Sequence, residues 1–251
     1  MDKQKVALVT GSSSGIGAGI AKILALHGYT VIVTYKDHKK WAEVVVSDIK
    51  KKKGEAIIQE LDVTSEESVK QCFDFVEEQF GYLNVLVNNA AVDGIAPIET
   101  CTFDRWKKIT RTKIDGNFLC TKYALPLLKK PGKADIIVIM SSMGEQVDTD
   151  DIPYCVGTAG TIMFVKAMAK GLAKYGIRTN GIGPAETRTN NGYWKEAGLT
   201  TDEAWEKFAK ANPLGRVSTP EDVGETALAI IENKTAFWNG NFIYVNGGGH
   251  L

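Results

Sequence analysis

Gly11-Ser12-Ser13-Ser14-Gly15-Ile16-Gly17 is the stretch of this chain best suited to chemistry, because it joins an apolar run, Val6–Thr10, to an amphipathic one. Three glycines between a strand and a helix each have a physical task. Gly11 turns the chain sharply off the strand, Gly15 lets the backbone approach a pyrophosphate, and Gly17 lets helix and sheet close together. The pyrophosphate of a dinucleotide would rest on the free N–H groups of the helix N-terminus, beside Ser13, Ser14 and Ile16. The end of the second strand bears on which dinucleotide is bound. An acid there would hold a ribose diol and repel a 2′-phosphate. The chain instead reads Val33-Thr34-Tyr35-Lys36, with no acid before Asp37. Lys36 either meets a phosphate dianion or is merely solvated, and Ser12 and Ser13 add hydroxyls. NADP(H) is favoured, with NAD(H) as the alternative.

Other chemistry is sparsely supplied. Cys72, Cys101, Cys120 and Cys155 are scattered without a Cys-x-x-Cys pair, the pattern of reduced and mostly buried thiols. His27, His38 and His250 lack metal-ligand spacing, so neither a metal site nor histidine acid–base chemistry is expected. Lys plus Arg and Asp plus Glu both number 30, which leaves no basic footprint for nucleic acid or an anionic membrane. No apolar run reads as a bilayer span, and Met1–Lys5 leads into a strand without a signal-peptide pattern. The expectation is a cytoplasmic protein acting on a small molecule, with no nucleic-acid or membrane partner.

These residues must be positioned by something. Across 251 residues, short apolar runs alternate with longer amphipathic stretches, the signature of βαβ units. The expected strands are Val6–Thr10, Thr30–Tyr35, Ala56–Glu60, Asn84–Asn88, Asp135–Ser141, Arg178–Gly183 and Asn241–Val245. The expected helices include Gly15–His27, Glu66–Phe80, Phe103–Lys129, Tyr154–Lys174 and Pro220–Glu232. Thr64-Ser65-Glu66-Glu67 and Thr219-Pro220-Glu221-Asp222 read as helix starts, and Lys50–Lys53 with Gly54 as a helix stop. The fold class is α/β, a doubly wound parallel Rossmann sheet of about seven strands with helices on both faces. No linker divides the chain, so residues 1–251 are read as one domain.

Thr10-Gly11-x-x-x-Gly15-x-Gly17 at this position resembles the short-chain dehydrogenase/reductase family, in particular its ketoacyl reductase and glucose dehydrogenase-like members. Further blocks follow in the family's order. Leu61-Asp62-Val63 resembles the adenine contact, and Asn88-Asn89-Ala90-Ala91 the strand end beside the cofactor. Ile177-Arg178-Thr179-Asn180 and Pro184-Ala185-x-x-x-Thr189, with Thr187 between, resemble the segment holding the nicotinamide amide. Pro213-Leu214-Gly215-Arg216 and Val245-Asn246-Gly247-Gly248 complete the match. Ala91 and Ala185 stand where the family has glycine. The resemblance places a lid near 186–212, where Tyr193 and Trp194 either cover the substrate or pack. It also implies a homotetramer or homodimer built on the two long helices, with the C-terminal strand forming a second contact.

The resemblance further implies a serine and a tyrosine on the substrate oxygen and a lysine four residues after the tyrosine. Tyr154 is the tyrosine, also touching the cofactor, and Ser142 is the serine, with Ser141 as the alternative. The lysine is missing, since Tyr154-Cys155-Val156-Gly157-Thr158 puts Thr158 at its position. Lys113 stands where the family has a helix asparagine that reaches the lysine through water. Either Lys113 supplies the displaced cation, giving a catalytic set of Ser142, Tyr154 and Lys113, or the site has decayed into a dinucleotide-binding pseudoenzyme. The loop before Tyr154 carries Glu145, Asp148, Asp150 and Asp151, with Glu186 nearby. These carboxylates are either a solvated rim or a sign of a polar or cationic substrate. Cys155, beside Tyr154, is read as chemically idle.

Overall fold

In a computed structural model, residues 4–92, 94–189 and 193–249 are described. The strands are β1 (Lys5–Val9), β2 (Tyr29–Tyr35), β3 (Glu55–Glu60), β4 (Val85–Asn88), β5 (Ala134–Ile139), β6 (Ile177–Pro184) and β7 (Phe242–Val245). They form one parallel sheet in the order β3-β2-β1-β4-β5-β6-β7. All seven expected strands form, their ends shifted by a residue or two. Between them run α1 (Gly15–Leu26), α2 (Lys39–Lys51), α3 (Glu66–Phe80), α4 (Phe103–Lys129), α5 (Ile152–Leu172), α6 (Tyr193–Glu196), α7 (Asp202–Ala211) and α8 (Pro220–Ile231).

Strand alternation divides the core. Ala7 and Val9 of β1 face α1, α2 and α8, while Val6 and Leu8 face α3, α4 and α5. A strand covered on both faces has no solvent side, hence the unbroken apolar runs at β1 and β4. The caps follow the chemistry of their residues. Ser65 accepts from Ser68 N at the start of α3, and Thr219 and Asp222 form a reciprocal capping box on α8. The stop after α2 differs from expectation. Lys53, not Gly54, adopts the left-handed conformation (φ 63°), and Gly54 instead gives Ile49 room, since a Cβ would stand 2.9 Å from its Cγ2.

The segment Ile152–Tyr175 is long and apolar enough to cross a membrane by length and composition, contrary to the expectation that no run would be. Its apolarity has another use in this fold. One side of α5 buries Ile162, Val165 and Leu172, and another leaves Val156 and Met163 exposed. α6 and α7 were not foreseen. They break up the segment expected to be a lid, of which residues 190–192 lie outside the described part.

The order 3-2-1-4 reverses the direction of winding between β1 and β4. The loops leaving the C-terminal ends of those two strands splay apart there and leave a crevice.

Candidate functional site

The glycine-rich turn occupies that crevice and is stitched down on both sides. Ser12, fully buried, donates to Val9 O at 2.6 Å and accepts from Thr34 N at 2.9 Å. Thr34 in turn accepts from Gly11 N at 2.9 Å and donates to Val9 O at 3.0 Å. Ser12 is therefore a strut, not a ligand donor. On the other side the Asn89 amide donates to Thr10 O at 2.8 Å and Gly11 O at 3.2 Å. The turn needs its glycines. Gly11 sits at φ +62° and Gly15 at φ +56°, and a Cβ at Gly17 would come within 2.5 Å of Asn89 Nδ2 and 2.7 Å of Gly11 O. This backbone cradle, open at the N-terminus of α1, fits a dinucleotide pyrophosphate.

From the turn runs a cavity of about 950 Å³. Gly11, Ser13, Ser14, Gly15, Ile16 and Gly17 line its floor, and Lys36, Asp62 and Val63 line one end. Asn89, Ala90 and Ala91 line the middle, with Pro184, Thr187 and Thr189 beyond. Ser141, Ser142, Tyr154 and Lys113 line the same cavity. Sequence reasoning thus named residues from eight separate stretches that the fold brings together. Tyr35 is the exception. Successive strand residues point to opposite faces, so Lys36 and Thr34 turn one way while Tyr35 packs against the core beneath α1 and α2. Arg178, Thr179 and Asn180 are not at the cavity either. Arg178 pairs with Asp135 at 2.8 Å and donates to the carbonyls of Ile230 and Ile231, while Asn180 ties β6 to the segment before β7.

Lys36 does not stand alone, because its ammonium lies 2.8 Å from Asp62 Oδ2. Burial raises the Asp62 carboxyl, but bonds from Lys36 and Thr64 outweigh it and hold the group below the ordinary carboxylate range. Sequence reasoning missed other lining residues. His38 and Trp41, stacked at 4.0 Å, line the same cavity, as do Asp104, Lys107, Lys108 and Arg111 from one stripe of α4. Their spacing of three and four residues was the signal available.

At the far end, Asp151 caps α5, accepting from Tyr154 N at 3.4 Å and from Gly94 N at 3.2 Å. It is 5 % exposed and also lines the cavity, yet these two bonds commit it to the backbone as a cap. Asp148 and Glu186 do line the cavity, whereas Glu145 and Asp150 do not. Ser141 Oγ accepts from Met143 N at 3.2 Å, capping the short 3-10 turn Ser142–Gly144, and both serines line the cavity. Trp194 lines the cavity and packs edge-on to Phe208, with ring centroids 5.3 Å apart. The Tyr193 side chain is outside the described part, as is His250.

Lys113 and Thr158 sit differently relative to Tyr154. Lys113, on α4, is only 2 % exposed, and its Nζ lies 4.2 Å from the centroid of the Tyr154 ring. Thr158 is fully buried, does not line the cavity, and its hydroxyl has no hydrogen-bond partner. A cation over an aromatic face is attracted by the ring quadrupole. The only lysine brought onto Tyr154's ring among the described residues therefore enters from the neighbouring helix. Cys155 is half-buried, its Sγ is 3.6 Å from Asp148 O, and burial pushes its thiol up, which disfavours a thiolate.

Comparison with known proteins agrees with this architecture. Residues 11–250 match the family described as enoyl-(acyl carrier protein) reductase. The chain is 32 % identical over 251 residues to a 3-oxoacyl-(acyl-carrier-protein) reductase of Staphylococcus aureus, covering 100 % of both chains. It is 28 % identical to glucose 1-dehydrogenase 2 of Bacillus subtilis, covering 97 % of this chain and 94 % of the other. A solved dehydrogenase/reductase from Sinorhizobium meliloti 1021 superposes with a TM-score of 0.90 at 29 % identity, covering 99 % of this chain and 96 % of that one.

Proposed function

Since this chain belongs to the short-chain dehydrogenase/reductase family of oxidoreductases, we propose that it transfers a hydride from NADPH to a small or medium-sized carbonyl or imine substrate. The observation that carries this reading is that Ser142, Tyr154 and Lys113 line one cavity with the glycine-rich turn. Bound NADPH supplies the hydride. The chain's own residues do the rest. Ser142 donates a hydrogen bond to the substrate oxygen or nitrogen, Tyr154 gives it the phenolic proton, and Lys113 holds positive charge over the ring. Reduction suits this set, because neutral tyrosine already carries the proton that an acid must deliver. The segment 186–212 acts as a lid, with Trp194 and Phe208 as its apolar wall. Residues 1–251 work as one domain.

The test is turnover of NADPH with a panel of ketones, aldehydes and imines. Binding of NADPH without turnover of any of them would favour the pseudoenzyme reading. NADP(H) preference is supported by Lys36 at the cavity end and by the absence of a carboxylate at positions 34 and 35. The Lys36 ammonium has two N–H donors left after its bond to Asp62. Lys36→Ala is expected to weaken NADPH binding about tenfold and NADH binding by less than twofold. Fluorescence titration of both cofactors decides it, and tighter NADH binding by the unmodified protein refutes the preference.

A homotetramer or homodimer is the assembly that the exposed side of α4 and α5 supports. Ile114 and Phe118 on one helix and Val156 and Met163 on the other are 38, 52, 49 and 63 % exposed. They form one surface, because a Cβ at Gly160, between Val156 and Met163, would stand 2.6 Å from Ile114 Cδ1. A helix apolar on two sides needs two partners, and the sheet is only one of them. Light scattering at low micromolar concentration is expected to give two or four times the chain mass, and a monomer mass refutes it.

A further inference from the structure

We infer that Gly157 is the positioning residue that lets Lys113 serve Tyr154, an inference resting on the reading of Lys113 as the site's cation. Lys113 is nearly fully buried, so its stem must lie across α5 to reach the tyrosine. It does so at one position. A Cβ built on Gly157 would meet Lys113 Cδ at 3.3 Å, Cβ at 3.4 Å and Cγ at 3.8 Å, and those are its three nearest neighbours. The stem occupies the groove that a missing side chain leaves.

The location is specific. Gly157 follows Tyr154 by three residues, so both lie on one face of α5, and a stem laid over one is aimed at the other. That alignment brings the ammonium to 4.2 Å from the ring centroid. Backbone conformation does not explain the glycine, because Gly157 is not among the glycines with positive φ. A glycine inside a helix is otherwise a liability relative to alanine. Helix pairing does not explain it either. The Thr161 hydroxyl donates to Gly157 O at 2.9 Å and meets the Asn117 amide at 3.5 Å, contacts that an added Cβ leaves in place. What requires the bare position is the lysine. Three positions therefore work as one: short Thr158 vacates, bare Gly157 opens a path, and long Lys113 fills it.

The test is Gly157→Ala, alone and combined with Lys113→Ala. In the unmodified background the new methyl must push the stem aside by a few tenths of an ångström. A crystal structure is expected to show the ammonium displaced from the Tyr154 ring. The rate of carbonyl reduction should fall about three- to tenfold. With Lys113→Ala the methyl meets only the retained Cβ, at 3.4 Å, an ordinary contact, so Gly157→Ala should raise Tm more than it does alone and cost no further activity. An unmoved ammonium, or equal changes in Tm and rate in both backgrounds, overturns the inference. The structure and the melting cycle need no substrate. Failure of the oxidoreductase reading, seen as no turnover by the unmodified protein, is thus separable from failure of this one.

Discussion

Gly17→Ala is expected to weaken NADPH binding by about tenfold to a hundredfold while leaving the chain folded. The added Cβ would stand 2.5 Å from Asn89 Nδ2, 2.7 Å from Gly11 O and 2.9 Å from Ser12 Cα. Two of those are backbone atoms of the turn itself and cannot swing away as a flexible side chain could. Relief requires the turn to move, which breaks the Asn89 bonds to Thr10 O and Gly11 O. It also strains the Ser12–Thr34 strut that fixes the turn against β2. Overpacking of this kind costs ~1–3 kcal/mol, and ~2.8 kcal/mol is a hundredfold in affinity. The core beneath the turn is built from β1, α2 and α8 as well as α1, so the damage should stay local. Fluorescence titration with NADPH and a circular dichroism melt separate the two effects. Affinity within threefold of the unmodified protein would mean the cradle is not where the dinucleotide rests.

Much of this site was legible because the fold and the cofactor turn depend on local patterns. Three glycines at fixed offsets after an apolar run specify a turn whatever surrounds them. Unbroken apolar runs at β1 and β4 mark strands that are covered twice. What stayed illegible was what a side chain does once its neighbours arrive. Ser12 and Ser13 look alike in the sequence, yet only Ser12 is consumed as a strut to Thr34. Tyr35 and Lys36 are adjacent, and the pleat alone sends one to the core and the other to the cavity. Asp151 looked like one carboxylate of an acidic loop until its bonds to two backbone amides appeared. The departure at Thr158 was visible, and the substitute at Lys113 was arguable from the resemblance. The role of Gly157 was not, because its importance lies in the space left for a side chain 44 residues away in the chain.

If Lys113 is the displaced cation, Lys113→Ala should cost about 2–4 kcal/mol of transition-state stabilisation, a loss of roughly thirtyfold to a thousandfold. The size follows from electrostatics, since a charge ~4 Å from a phenol at an effective dielectric near 20 is worth on the order of 4 kcal/mol. Lys113→Asn should be nearly as damaging, because it installs the family's usual residue without that residue's lysine partner. Thr158→Lys alone should help little. Its ammonium would enter beside a second one, and like charges close together disfavour each other's charged forms. The combination of Lys113→Asn with Thr158→Lys should recover activity, because it rebuilds the arrangement from which this chain departs. A variant that is useless alone and restorative in company is the mark of two positions sharing one task. The measurement is reduction of whichever ketone or imine responds with NADPH, compared across all variants together with Tyr154→Phe. An unchanged rate in Lys113→Ala, with Tyr154→Phe inactive, would show that the tyrosine works as an unassisted neutral acid and that the cation over its ring plays no part in the reaction.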